Sequence, residues 1–154
     1  MIEGLHYQNA YVTRNVDQAM AEFAARADVR LAYQFEGTTD LTAGGATYRQ
    51  TVKLGFAWVG DLQYEFIEPV DEPLRVFTDW LPDDDSLKFH HSCARVTDWD
   101  DFRRRVDQQA FPVVFEGEGA GGLKFLYLDA RELLGHYLEF TAMPDEVWAR
   151  TGGR

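Results

Sequence analysis

Two stretches of the chain carry the same order of apolar and polar positions. "QNAYVTRNVDQAMAEF" starts at Gln8 and "HSCARVTDWDDFRRRV" starts at His91. Each opens with a short strand-like run, passes a turn and enters a helical pattern. In the first, Val16, Ala19, Met20, Phe23 and Ala24 recur at i, i+3, i+4, i+7 and i+8, one apolar stripe on a helix. In the second, Trp99, Phe102 and Val106 recur at i, i+3 and i+7. Asn15 and Asp98 stand where N-caps belong, and Asp17 and Asp100 lie at the same offset from Gln8 and His91.

The segments beyond the two helices also match. After the first helix come "VRLAYQFEG", "ATYRQTVKLGFAWVG" and "LQYEFIEP"; after the second, "FPVVFEGEG", "LKFLYLDA" and "GHYLEFTAMP". These runs are rich in β-branched and aromatic residues and are punctuated by Gly and Asp, which predicts strands. The order is therefore β-α-β-β-β twice, with modules at 5–69 and 89–144 joined by a linker at 70–88 that carries the acidic run "PDDD". The segment "TTDLTAGGA", near 38–46, has no counterpart in the second module and is expected to be a loop.

Composition narrows the class. A chain of 154 residues with 45% hydrophobic and 14% aromatic content suits a single packed domain. A formal charge of −11 argues against nucleic acid, because a phosphate-binding surface needs a basic field. No apolar run approaches the roughly 20 residues of a membrane span, and "MIEGLHYQNA" has no secretory pattern. With Cys93 the lone cysteine, no internal disulfide is available, and a cytoplasmic protein with a small-molecule partner is expected.

The modules, with "HHSCARVTD" opening the second and "YEFIEP" and "GHYLEF" closing the two, resemble the vicinal oxygen chelate superfamily. That superfamily includes glyoxalase I, methylmalonyl-CoA epimerase, ring-cleaving dioxygenases and bleomycin-resistance proteins. The segment "EPLRVFTDWLPDDDSLKFHH" is similar to the linker of the glyoxalase I and epimerase branch. The resemblance implies an α+β fold in which the tandem βαβββ modules form one concave, mostly antiparallel sheet. It also implies one metal ligand from the first and last strand of each module, here Gln8, Glu65, His91 and Glu139.

Local pattern agrees with that set. Glu65 sits between Tyr64 and Phe66, and Glu139 between Leu138 and Phe140, so each is a carboxylate interrupting an apolar strand. That placement is costly unless something pairs with it. Strict alternation puts Gln8 with Ala10 and Val12, and His91 with Cys93 and Arg95. His6 shares the face of Gln8 and is its rival, but the repeat register matches His6 to Phe89, which favours Gln8. The same alternation sends His90 to the helix side of the sheet and turns His136 away from Glu139.

One imidazole, two carboxylates and an amide oxygen suit Zn²⁺, Ni²⁺, Co²⁺ or Mn²⁺ without choosing among them. The set looks like that of glyoxalase I. Epimerases of the branch tend to carry His first and Gln second, and iron dioxygenases need two histidines. The chemistry implied is abstraction of a proton beside a metal-polarised carbonyl, with Glu139, or Glu65 across the pseudo-twofold, as base. Arg95 is the candidate to bind an anionic substrate group. A non-catalytic drug-binding protein and a ring-cleaving dioxygenase are the alternatives. A homodimer is expected, because aromatic strands leave sheet edges to be covered.

Overall fold

Both apolar stripes become helices lying on the outside of one curled sheet. The structure, a computed structural model, describes residues 3–154. The first module comprises β1 (Leu5–Val12), α1 (Val16–Ala24), β2 (Leu31–Ala43), β3 (Ala46–Val59) and β4 (Leu62–Asp71). The second comprises β5 (Lys88–Arg95), α2 (Trp99–Val106), β6 (Val113–Glu118), β7 (Lys124–Leu128) and β8 (Tyr137–Ala142). Two short helices, α3 (Arg131–Leu134) and α4 (Asp145–Arg150), precede and follow β8. No helix among the described residues is long and apolar enough to cross a membrane.

Both cap candidates act as caps. The Asn15 side chain accepts from the Gln18 amide at 3.0 Å, and Asp98 from the Asp101 amide at 2.9 Å. Val16 and Ala19 of α1 pack on Ala57 and Phe66, while Phe102 and Val106 of α2 pack on Leu126, Leu128 and Phe140.

The strand order is β1-β4-β3-β2-β6-β7-β8-β5, closed into a barrel. Pairing is antiparallel except between β1 and β4 and between β5 and β8, the first and last strands of each module. The modules meet within one chain at two seams, β1 with β5 and β2 with β6.

The expected loop near 38–46 is instead the end of a long hairpin. β2 and β3 stay paired from Leu31–Trp58 to Ala43–Ala46, and Gly44 and Gly45 turn the chain at φ 56° and 81°. Two consecutive positive φ values make the tight turn whose twist suits a hairpin, and glycine adopts them without a Cβ penalty. The tip extends because it has a partner: Leu41 is 1% exposed and pairs with Gly117 of β6. A Cβ on Gly117 would meet the Phe125 ring at 2.6 Å. The polar run thus hides the strand that closes the barrel.

The linker is ordered as well. The buried Glu72 carboxylate accepts from the backbone amides of Phe77 and Thr78 at 3.0 and 2.8 Å and from the Thr78 hydroxyl at 2.8 Å. This holds Phe77 in the interior, its ring centroid 4.8 Å from that of His90.

Candidate metal centre

Two bulges on the β1–β5 seam decide which side chains face the interior. The ladder pairs His6 with Ala94 and then Gln8 with Cys93, so Tyr7 is an extra residue; further along, Ala10 pairs with His91 and Tyr11 with Phe89, so His90 is extra. An extra residue breaks alternation and lets two neighbours turn to one side. Tyr7 and Gln8 both line the interior cavity, and His90 and His91 are both fully buried. His90 therefore does not lie on the helix side, as alternation predicts. The bulges occupy equivalent places in the two modules, each just before a proposed ligand.

Glu65, His91 and Glu139 converge. Their ligand atoms all lie within 4.8 Å of one another, and the group is buried. His91 Nε2 is 3.0 Å from Glu139 Oε2, 3.4 Å from Glu65 Oε2 and 3.3 Å from the Tyr127 hydroxyl. Gln8 is 3% exposed and lines the same cavity as both carboxylates. Its amide nitrogen donates to Gln63 Oε1 at 2.7 Å, and Gln63 in turn donates to the Tyr33 hydroxyl at 3.3 Å. That relay leaves Gln8 Oε1 buried without a partner, and Glu65 Oε2 also lacks a hydrogen bond. Unpartnered buried oxygens are costly. Lining one cavity with Glu139, and with His91 against the carboxylates, these two offer a donor set that fits a divalent ion.

The imidazole of His91 is oriented from behind. His90 Nε2–H donates to the Val76 carbonyl at 3.2 Å, so neutral His90 presents a lone pair at Nδ1. His91 Nδ1 lies 2.9 Å from it and donates to it. With its proton committed at Nδ1, His91 turns Nε2 to the carboxylates. A ligating histidine needs this arrangement, with the far nitrogen held by an acceptor. Burial, together with the charge of His91, holds His90 well below the ordinary imidazole range, which keeps it neutral and able to accept.

Electrostatics mark the same cluster. Burial pulls His91 down, but the close carboxylates of Glu139 and Glu65 outweigh it and bring the group up to about 9. Burial, with the charge of Glu139 added, raises Glu65 above the usual carboxylate range despite the opposing His91. Burial and both carboxylates raise Tyr127 well above its ordinary value, so its hydroxyl keeps its proton. Without metal, a proton on His91 Nε2 partly compensates the two acids; a cation would take its place and release it.

The remaining sequence candidates lie elsewhere. His6 is exposed, with Nε2 3.0 Å from Asn9 Oδ1, because the Tyr7 bulge separates it from Gln8. His136 donates from Nδ1 to the Tyr137 carbonyl at 2.7 Å and takes no part in the cluster. Arg95 does not line the cavity: its guanidinium meets Asp145 at 2.6 Å and the Met143 carbonyl at 3.2 Å, 4.8 Å over the Trp148 ring. Sequence reasoning missed Tyr127, Gln63, Tyr7 and the role of His90. Gln63 was accessible to it, being two residues from Glu65 on the same strand face. Tyr127 was not, since its place depends on pairing with Glu139 across β7 and β8.

A family model described as "Glyoxalase/Bleomycin resistance protein/Dioxygenase superfamily" matches residues 7–127. The chain belongs to that superfamily. Solved structures of similar fold include methylmalonyl-CoA epimerase from Mycobacterium tuberculosis, at 16% identity and TM-score 0.68, covering 96% of this chain and 93% of that one. A Streptomyces coelicolor methylmalonyl-CoA epimerase variant in complex with 2-nitronate-propionyl-CoA is 14% identical, TM-score 0.66, covering 92% and 99%. A hypothetical protein from Bacillus halodurans is 16% identical, TM-score 0.63, covering 92% and 96%. Among curated proteins no sequence match is found. The superfamily read from the motifs, and the tandem-module fold it implies, are borne out.

Proposed function

We propose that the chain is a divalent-metal-dependent lyase or isomerase of the glyoxalase I type, which removes a proton next to a carbonyl of a small oxygenated substrate. The observation that carries this is the buried convergence of Glu65, His91 and Glu139 beside the unpartnered Gln8 oxygen, all next to an interior cavity. Gln8 Oε1, Glu65, His91 Nε2 and Glu139 would hold the ion, with Zn²⁺, Ni²⁺, Co²⁺ and Mn²⁺ the candidates. A bound divalent ion supplies Lewis acidity that polarises the substrate carbonyl.

The chain's own residues do the rest. Glu139, 8% exposed and lining the cavity, accepts the substrate proton; Glu65, its counterpart in the first module, retains its carboxylate position. The Tyr127 hydroxyl, 3.3 Å from His91 Nε2, is a protonated donor for a substrate oxygen. The apolar walls keep water from the exposed carbon. Return of the proton to the same carbon gives an epimerase and to its neighbour an isomerase or lyase. The imidazole count supports this over a dioxygenase, since the lone pair of His90 is committed to His91.

Metal analysis of the purified protein is the direct test, with about one divalent ion per chain expected. Solvent deuterium uptake at a carbon beside a carbonyl, without oxygen consumption, is the expected activity. Metal-free protein that binds ligands without turnover favours a sequestering role. A homodimer is part of the proposal, on a different ground from the one sequence suggested, because the barrel already covers its own edges. The adjacent Leu133 and Leu134 on α3 are 74% and 48% exposed. Sedimentation at micromolar concentration tests it, and a monomer overturns it.

A further inference from the structure

The cavity beside the metal centre has an uneven charge. It measures about 420 Å³, and its walls include Tyr33, Phe35, Leu54, Phe56, Phe115 and Phe125. Among the described residues, Glu65 and Glu139 are the only charged side chains that line it, with no Lys or Arg. Three basic side chains of the surrounding segments are engaged elsewhere. Arg95 is paired with Asp145, Lys53 with Glu68 at 3.2 Å, and Arg30 donates to the backbone carbonyls of Gly60 and Gly152.

A dication held by two carboxylates, a neutral imidazole and an amide is formally neutral. Nothing in the cavity then remains to compensate a further anion, and burying one against such walls is strongly unfavourable. Aromatic faces, by contrast, suit a flat apolar body. The polar groups away from the centre are themselves uncharged. Chief among them is Gln50, 6% exposed, whose amide oxygen is buried without a partner.

We infer that, beyond the oxygen pair it offers to the metal, the substrate is an uncharged aromatic or similarly flat apolar molecule. Molecules bearing a carboxylate, phosphate or sulfonate on that body are excluded from the cavity. The oxygen pair rests on the function proposed above; the neutrality and flatness rest on the walls alone. Gln50 provides a neutral acceptor for a hydroxyl or amine on the substrate.

The test uses matched probes on the full chain, metal-free and zinc-loaded. N-phenyl-naphthylamine and its sulfonate, anilinonaphthalene sulfonate, differ by one charge and are read by fluorescence. The neutral probe is expected to bind on the order of tenfold tighter or more in both forms, and Leu54→Trp, which fills the cavity, should abolish that binding. On zinc-loaded protein, benzohydroxamate should bind about tenfold or more tighter than its para-carboxylate, and tighter than acetohydroxamate. Gln50→Lys, by adding a cation, should bring the para-carboxylate close to parity. Equal or tighter binding of the charged partner to the unmodified chain overturns the inference, even where metal binding stands. Absence of metal with the preference for the neutral naphthylamine intact overturns the metal-dependent reading and supports the cavity inference.

Discussion

The two modules share a plan but divide the labour. In each, the first strand carries a bulge and the residue after it faces the centre: Tyr7 then Gln8, His90 then His91. In each, the last strand delivers a buried glutamate. The bulged residues differ in what they do. Tyr7 stacks edge-on against Trp148 at 4.8 Å and lines the cavity, whereas His90 stands behind its neighbour and fixes an imidazole tautomer. The hairpins differ too. β2 and β3 are 13 and 14 residues long and supply much of the cavity wall; β6 and β7 have 6 and 5. A duplicated backbone therefore fixes where the proposed ligands sit, while unequal strands and bulge residues separate wall-building from the candidate centre.

Exchanging the two glutamates tests that division most severely. Glu139→Gln keeps an oxygen donor but removes the proposed base, so proton exchange should fall on the order of 10²–10⁴-fold while part of the metal is retained. Glu65→Gln should cost less in exchange at the same metal occupancy. Equal losses, measured by deuterium uptake, would show that the modules do not divide the chemistry.

The next effect separates the bulges. His91→Ala should remove most of the bound metal. His90→Ala removes the acceptor for His91 Nδ1–H, and loss of such a supporting partner weakens metal affinity by about 10–100-fold. Alternation alone, with His90 facing the helices, predicts little change. Tyr7→Phe, altering the equivalent residue of the first module, should leave affinity close to that of the parent. Competition with a chelator reads all three.

The pH dependence has a defined sign. In metal-free protein His91 is raised from an ordinary 6.5 to about 9, so its contribution to stability is complete below the lower value. That contribution is lost as pH rises through about 9. The upward shift of Glu65 acts in the same direction, since its neutral form is favoured and stability falls as pH climbs past its ordinary value of 4.5. The thermal stability of the chelator-treated protein should therefore fall from neutral to alkaline pH. Metal affinity should rise over the same interval, because the ion displaces the His91 proton. A His91→Gln variant should flatten both profiles.

The smallest effects should be symmetrical. Asn15→Ala and Asp98→Ala each remove one cap hydrogen bond, and each should lower stability by about 1 kcal/mol. Denaturant unfolding that shows one cap costing several times the other would mean that one module carries more of the cooperative structure.

Much of this architecture is legible in the chain alone. Both helices, both caps and the β-α-β-β-β succession of each module follow from periodicity and from side chains that bond within three residues of themselves. Glu65 and Glu139 stand out because an acid in an aromatic run needs a partner. The paired end of the hairpin over 38–46 is not legible. Its polar residues read as a loop until Gly117 of the other module is seen pairing with Leu41.

Features that depend on neighbours along the chain are written in its residue order: the duplicated modules, their caps, and glutamates set in apolar strands. That His90 faces inward, that His6 does not, and that Arg95 is held by Asp145 outside the cavity emerge from strand pairing in the folded chain. The physical reason is that a bulge is an extra residue counted against a partner strand. For Tyr7 and His90 the partner lies some 80 residues away, on the other side of the duplication. Side-chain direction at such a place is a property of the pairing, and no periodicity within either strand contains it.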